Sequence, residues 1–115
     1  MRMVLAFIQP TKLKAVQEAL ARIGVDRMTV CDALGYGQQR GQSAGRSRES
    51  SVKLLRKVAL EISVNEDFLD KTVETIERVA RTGESGAIGD GKILVLPVEE
   101  VVRISDTVRG PEAVS

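Results

Sequence analysis

Histidine and tryptophan are absent from this chain of 115 residues, and cysteine occurs once. Without histidine the chain lacks the commonest general base and metal ligand, which excludes the Ser-His and Cys-His forms of nucleophilic catalysis. The single Cys31 excludes an internal disulfide and a multi-cysteine zinc site, and its apolar neighbours predict a small buried side chain. Aromatic residues make up 3%, which argues against a protein that binds nucleic acids by stacking on bases.

An excess of charge of one sign is also missing, since 17 Lys and Arg stand against 16 Asp and Glu. A nucleic-acid-binding domain usually carries a basic excess, and the formal net charge here is only +1. No stretch approaches the ~20 apolar residues of a membrane span, and the N-terminus has no signal-peptide pattern. We therefore expect a single cytoplasmic domain over residues 1–115, with no nucleic-acid partner and no membrane insertion.

Apolar periodicity predicts four strands and two helices. The strands are expected at residues 2–8, 28–34, 58–64 and 93–98. Thr11 and Asn65 are expected to cap the helices, and the polar tail over 105–115 to be loosely ordered. The order strand, helix, strand, strand, helix, strand predicts an α+β fold of the ferredoxin-like βαββαβ type, with both helices on one face of an antiparallel sheet. A trimer that packs its sheets inward is one way to cover the other face.

The connection between the second and third strands, residues 36–57, is long and rich in glycine and serine. It contains Glu49 as its only acid and six basic residues, namely Arg40, Arg46, Arg48, Lys53, Arg56 and Lys57. Long loops inside compact domains are uncommon and usually functional. Charge alone leaves two interpretations open, a solvated self-repelling loop and a mobile arm directed at an anionic ligand or an acidic partner.

A second glycine-rich segment, residues 82–92, contains four glycines and ends with Lys92 directly before a strand. Glycines allow consecutive backbone N–H groups to converge on an anion, and a lysine adds a mobile charge for phosphate. The segment is not a Walker A loop, because here a helix precedes it and a strand follows it. By itself a glycine-rich turn is weak evidence for an anion site, and an ordinary helix-to-strand connection is the simpler interpretation.

Taken together, several segments closely resemble the signatures of the nitrogen-regulatory PII family. The matching runs, in chain order, are Phe7-Ile8-Gln9-Pro10 with Lys12-Leu13, Met28-Thr29-Val30, Gly35-Tyr36-Gly37-Gln38-Gln39-Arg40-Gly41, Thr82-Gly83 with Ile88-Gly89-Asp90-Gly91-Lys92-Ile93, and Arg103-Ile104. They follow the family order and cover nearly the whole chain. The resemblance implies a homotrimer in which 36–57 is the T-loop, 82–92 is the phosphate-binding B-loop and 105–115 is a C-terminal tail.

Members of this family bind ATP or ADP in clefts between subunits, and many bind 2-oxoglutarate through a Mg²⁺ ion held by ATP. The nucleotide-binding residues that the resemblance implies are Thr29, Gly35, Gly37, Gln38, Thr82, Gly89, Asp90, Gly91, Lys92 and Arg103. Of these, Arg103 would reach the phosphates from a neighbouring subunit. Gln39 would contact Mg²⁺ and 2-oxoglutarate, and Lys57 would pair with the distal carboxylate of that ligand. The resemblance implies no covalent cofactor and no catalytic residue.

The sequence departs from the family pattern in three places. The loop apex is Ser47-Arg48-Glu49-Ser50-Ser51, where many members carry a modified tyrosine, so the usual tyrosine switch is not predicted. Ser105 stands where the family usually has a second arginine, which disfavours triphosphate relative to ADP or AMP. The loop over 82–92 is also three residues longer than the commonest form.

The implied function is that of a nucleotide-sensing regulator, not an enzyme, whose T-loop contacts a nitrogen-metabolism target such as a transporter or a metabolic enzyme. An alternative on the same scaffold is a sensor of carbon or bicarbonate status that reads ADP or AMP. Gln39 and Lys57 favour the first function, and Ser105 favours the second. A nucleotide-hydrolysing enzyme is a third interpretation, which the lack of histidine and of paired carboxylates beside the glycine loop disfavours.

Overall fold

The structure, a computed structural model, describes residues 1–37 and 53–114. Its helices and strands are β1 (Arg2–Ile8), α1 (Leu13–Arg22), β2 (Thr29–Gly37), β3 (Lys53–Val64), α2 (Glu66–Ala80) and β4 (Gly91–Pro97). The strands form one antiparallel sheet in the order β2-β3-β1-β4. This is the ferredoxin-like arrangement, so the predicted fold class is confirmed.

The core lies between the sheet and the two helices. Alternate residues of β1 and β3 point to the helices and are buried, as the period of two along a strand requires. The buried cluster consists of Val4, Ala6, Ile8, Val16, Leu20, Val25, Val58, Leu60, Ile62, Val64, Ile76 and Ala80. These residues fix the helices on one face of the sheet and leave the opposite face without cover from the described chain.

The ends of α1 follow two different rules. The chain enters it through a 3-10 turn over Pro10–Lys12, and no side chain caps α1, so the predicted cap at Thr11 is wrong. At its other end α1 stops at Arg22. The Gly24 N–H donates to the Ala21 carbonyl and the Val25 N–H to the Leu20 carbonyl, which is the Schellman pattern. Neither helix of the described chain is long and apolar enough to cross a membrane.

Strands β2 and β3 are longer than predicted, because each extends several residues into the range predicted as a loop. β2 continues to Gly37, and β3 begins at Lys53, with Tyr36 paired opposite Leu54. Burial patterns reveal only the part of a hairpin that faces the core, whereas a backbone ladder continues wherever two strands stay adjacent. Beyond the core the hairpin is exposed, with Tyr36 82% and Leu34 65% accessible.

The sheet face opposite the helices carries an apolar stripe, here called the open face and defined as Met3, Leu5, Phe7, Leu94 and Leu96. The register pairs Leu5 with Leu94 and Met3 with Leu96, so the stripe runs across β1 and β4. Its β1 members are half-buried and its β4 members are exposed. A contiguous apolar surface that water can reach is a candidate interaction surface.

The prediction that Cys31 is buried is wrong, since its side chain is exposed in the described chain. Cys31 belongs to the edge strand β2 and pairs with Ala59 of β3, which in turn pairs with Phe7 of the open face. An apolar run on an edge strand therefore did not imply burial against the helices.

The prediction of a loosely ordered C-terminal tail is also wrong, because the described part of this segment is folded against the domain. A 3-10 turn covers Gly110–Val114, and its Ala113 is buried. The Asn65 side-chain amide, predicted as a cap of α2, makes no cap and instead donates to the Pro111 carbonyl at 3.1 Å. The segment is thus fastened to the N-terminal end of α2.

Candidate functional site

The loop over residues 82–92 borders a cavity of about 720 Å³. The C-terminal end of α2 and the end of β1 form the remaining walls. The lining residues are Phe7, Ile8, Val73, Ile76, Glu77, Ala80, Arg81, Ser85, Gly86, Ala87, Ile88, Asp90, Gly91, Lys92 and Ile93. The cavity is therefore apolar at its base, where α2 and β1 meet, and polar along the loop.

The carboxylate of Asp90 closes this loop. The Thr82 hydroxyl donates to Asp90 Oδ1 at 2.5 Å, and the backbone N–H groups of Thr82 and Ala87 donate to Oδ2 at 3.0 and 2.8 Å. These hydrogen bonds, first that of the Thr82 hydroxyl, hold the pKa of Asp90 below its ordinary value. The carboxylate is thus occupied within the loop, and any contact of Asp90 with phosphate would have to come from its backbone.

This arrangement makes the stability of the loop depend on pH. Because the pKa of Asp90 is lower in the folded chain, its stabilisation is complete above about pH 4 and is lost as pH falls through the lowered value. We expect Asp90→Asn to melt a few degrees below the unsubstituted protein at pH 7, and the difference to shrink by about pH 3. Thermal unfolding followed by circular dichroism at pH 7 and at pH 3 measures the difference in melting temperature at each pH. Asp70→Asn, which alters an exposed aspartate of α2, serves as the control, and a pH-independent difference for Asp90→Asn would contradict this role.

Two lysines, Lys12 and Lys57, lie near the loop, and a third, Lys92, is its last residue. Lys57 of β3 donates from Nζ to the Gly89 carbonyl, which joins two segments that lie 32 residues apart. Lys92 is exposed at the cavity and has no hydrogen bond or ion pair with any described residue. Lys12 is near enough to contribute to the lowered pKa of Asp90. The loop therefore lies in a positive field, which suits an anionic ligand.

Arg103 lies at the other end of the molecule. Its guanidinium donates to the Glu112 carbonyl at 3.3 Å, in the segment that Asn65 fastens to the start of α2. The loop follows the end of α2, a helix of 15 residues, so about 20 Å of helix separates the two regions. Within one chain, the structure does not bring Arg103 to Lys92.

Thr29, Gly35 and Gly37 are also distant from the loop. They lie on β2, one edge of the sheet, whereas Gly91 and Lys92 lie on β4, the other edge. With two strands between them, the edges are about 14 Å apart at ~4.8 Å per strand. Gln38 and Gln39, predicted for the nucleotide and for Mg²⁺ with 2-oxoglutarate, lie outside the described residues. The described part of the chain therefore gathers only Lys57, Thr82 and the Gly89–Lys92 group, and the predicted binding roles stay predictions.

Two contributions to this geometry were missed from the sequence. The Ala87 N–H, which donates to Asp90, has no side-chain signal at all. Asp106, which binds Arg103, follows it by three residues in a turn, a spacing that could have suggested a local ion pair. Since most such surface pairs contribute little, the spacing alone would have carried small weight.

Comparison with known proteins gives a consistent result over the whole chain. Residues 1–107 match the family model described as nitrogen regulatory protein P-II. The chain is 44% identical to nitrogen regulatory protein GlnK1 of Methanosarcina mazei, with 99% of this chain and 97% of the relative covered. It is 46% identical to nitrogen regulatory protein P-II 1 of Escherichia coli, with 90% and 91% covered.

A solved structure is similar as well. The structure of an Arabidopsis thaliana PII protein bound to citrate matches with a TM-score of 0.78 and 36% sequence identity. The match covers 98% of this chain and 88% of that one. The similarity thus extends over both sheet edges, both helices and the glycine loop.

Proposed function

The chain belongs to the P-II family of nitrogen regulatory proteins, and from this premise we propose that it is a homotrimeric signal-transduction protein that binds ATP or ADP between its subunits. The single observation that carries the proposal is the glycine loop, closed by Asp90, with Lys57 and Lys92 beside a cavity of about 720 Å³. Fixed backbone dipoles and mobile ammonium groups are the means by which proteins bind polyphosphates. Because its relatives are named as regulatory proteins and no catalytic residue is predicted, we propose that the protein acts by binding and not by catalysis.

The separation of the predicted residues supports a site shared between subunits. Lys92 on one edge of the sheet cannot meet Thr29 on the other, nor Arg103 beyond the start of α2, within one chain. A second copy can supply both missing groups. The open face supports the same assembly, because three copies that pack these stripes together would remove them from water.

The extended hairpin supports a role in contacting a target protein. Leu34, Tyr36 and Leu54 are exposed along it, and two of them, Tyr36 and Leu54, form a directly opposed cross-strand pair. Exposed apolar side chains on a projecting hairpin offer a partner both contact area and strand edges. We propose that this T-loop, over residues 36–57, contacts a transporter or a metabolic enzyme of nitrogen metabolism in the cytoplasm.

The proposed Mg²⁺ and 2-oxoglutarate ligands make a specific demand on the site. No group of three or more acidic, histidine or cysteine side chains within the described ranges could hold a metal ion. A Mg²⁺ ion here would accordingly take its oxygen ligands from the nucleotide phosphates together with Gln39. Lys57 would have to exchange the Gly89 carbonyl for the carboxylate of 2-oxoglutarate. The related plant structure is bound to citrate, which supports a carboxylate ligand on this fold.

Calorimetry with ATP, ADP and AMP, each with and without Mg²⁺ and 2-oxoglutarate, tests the proposal. Binding of ATP or ADP is expected, and tighter binding of 2-oxoglutarate in the presence of Mg-ATP. Absence of binding by any nucleotide would overturn the proposed function. Binding of ADP or AMP with no response to 2-oxoglutarate would favour the alternative sensor of carbon or bicarbonate status, for which Ser105 is the supporting observation.

Lys92→Ala is expected to weaken ATP and ADP binding roughly 10- to 100-fold, because a charged hydrogen bond to phosphate is lost. The trimer should remain intact, since Lys92 is exposed and has no described partner in its own chain. Lys14→Ala, on the exposed surface of α1, is the matched control and should bind nucleotide normally. Equal affinities for Lys92→Ala and Lys14→Ala would remove Lys92 from the site.

A further inference from the structure

Arg103 is bound within its own chain by Asp106. Its Nε donates to Asp106 Oδ1 at 3.0 Å and to Oδ2 at 3.1 Å, and Nη2 donates to Oδ2 at 2.7 Å. One edge of the guanidinium thus forms a fork with one carboxylate. A guanidinium binds a phosphate in the same way, through two parallel N–H groups of one edge.

The backbone between the two residues holds this pair in place. The Thr107 N–H donates to the Arg103 carbonyl at 2.8 Å, and the Arg103 N–H donates to that of Val108 at 2.9 Å. Asp106 also accepts the Val108 N–H at Oδ1, at 3.2 Å. The turn requires Thr107 to adopt a φ of 59°, a left-handed conformation that a β-branched residue rarely adopts. Asp106 is therefore positioned by a closed turn and not by the chance approach of two flexible side chains.

The pair is fixed in geometry but accessible. The Arg103 and Asp106 side chains are 35% and 45% exposed, so solvent screens their attraction and a polyanion can replace the carboxylate. The hydrogen bonds from Arg103 lower the pKa of Asp106, so the carboxylate is charged at neutral pH. A phosphate that approaches Arg103 consequently meets a competing negative charge that is already bound.

We propose that Asp106 is a specificity-determining residue, which competes with the phosphates of the nucleotide for Arg103 and so disfavours triphosphates relative to monophosphates. The inference rests on the proposed function, in which Arg103 serves the nucleotide site of a neighbouring subunit. Its direction follows from charge, because ATP carries more negative charge than AMP and is repelled more strongly by the same carboxylate. Ser105 leaves Arg103 without the second arginine that the family usually has beside it. Asp106 in turn partly neutralises the charge of Arg103.

Calorimetry of the full-length protein and its Asp106→Asn variant with ATP, ADP and AMP tests the inference. Asparagine retains an oxygen that can accept the Val108 N–H, so the turn is expected to persist while the charge is lost. We expect the affinity for ATP to rise about fivefold and that for AMP to change less than about twofold, the size expected for one exposed charge. Glu100→Gln removes the charge of a comparable surface pair, that with Arg109, and should change neither affinity.

The outcomes separate the inference from the proposed function. If the unsubstituted protein binds no nucleotide, the proposed function fails and the inference fails with it. If it binds nucleotide but Asp106→Asn binds all three nucleotides as before, only the role of Asp106 is overturned. Weaker binding by Asp106→Asn, with an unchanged melting temperature, would likewise overturn it, because Asp106 would then orient Arg103 for phosphate and not compete with it.

Discussion

Gly91→Ala is expected to lower the free energy of unfolding by more than about 4 kcal/mol, which places it among the most damaging single substitutions. Gly91 is the first residue of β4 and pairs with Ile8 at the end of β1. A Cβ atom at this position would lie 1.7 Å from the Phe7 carbonyl oxygen and 2.8 Å from its carbon. Both are backbone atoms of β1, so the clash can be relieved only if β1 separates from β4.

The conformation of Gly91 adds to this cost. Its φ is 112°, which L-amino acids with a side chain rarely adopt. Because the same residue joins the glycine loop to the sheet, the loop and Lys92 would be displaced together. Urea denaturation followed by circular dichroism is the appropriate measurement, with nucleotide binding as a second readout.

Gly83→Ala is the matched control, because it makes the same chemical change in the same loop. Gly83 also has a positive φ, 62°, but no atom lies within 4 Å of the position of its Cβ. Its cost is therefore limited to backbone strain, about 1 kcal/mol. Similar losses for the two variants would show that the close approach of Gly91 to Phe7 does not determine stability here.

Leu94→Glu is expected to dissociate the proposed trimer into folded monomers. Leu94 lies in the middle of β4 on the open face, opposite Leu5, and is 41% exposed in the single chain. In water a glutamate is tolerated at that exposure, but in an apolar interface an unpaired carboxylate costs several kcal/mol. Because a symmetric trimer contains the substitution three times, the penalty applies in every subunit.

The loss of assembly should abolish nucleotide binding as well, because Lys92 and Arg103 of one chain lie at opposite ends of the molecule. Analytical ultracentrifugation reports the oligomeric state, and circular dichroism confirms that the monomer is folded. Ala15→Glu introduces the same charge on the exposed surface of α1 and should leave the trimer intact. A Leu94→Glu protein that still sediments as a trimer would exclude the open face as the interface.

Much of the fold could be predicted from the sequence, because the signals involved are local. The apolar run over residues 2–8, for example, marked β1 with the bounds that the structure has. Strand ends were less accurate, since the β2–β3 ladder continues beyond the last residue that faces the core. Cys31 was wrongly predicted as buried because its position on an edge strand depends on the order of the strands, which no local pattern reveals.

The candidate site divides in the same way. The glycine signatures, Lys92 and Arg103 were identified from residue type and order alone, and with them the family to which the chain belongs. The resemblance already implied that Arg103 acts from a neighbouring subunit, but its distance from Lys92 within one chain follows from the direction of β4 and from the attachment of the C-terminal turn to Asn65.

What the sequence determined by itself was therefore the set of elements, the glycine loop and the family, through periodicity, turn residues and motifs that act over a few positions. The tertiary structure decided how those elements use their side chains. The Asp90 carboxylate accepts hydrogen bonds within its own loop, Lys57 donates to the Gly89 carbonyl, and Asp106 forms an ion pair with Arg103. The physical reason is that hydrogen bonds and ion pairs require distances near 3 Å. Such distances are set by backbone turns and strand register, which the identity of the residues does not contain.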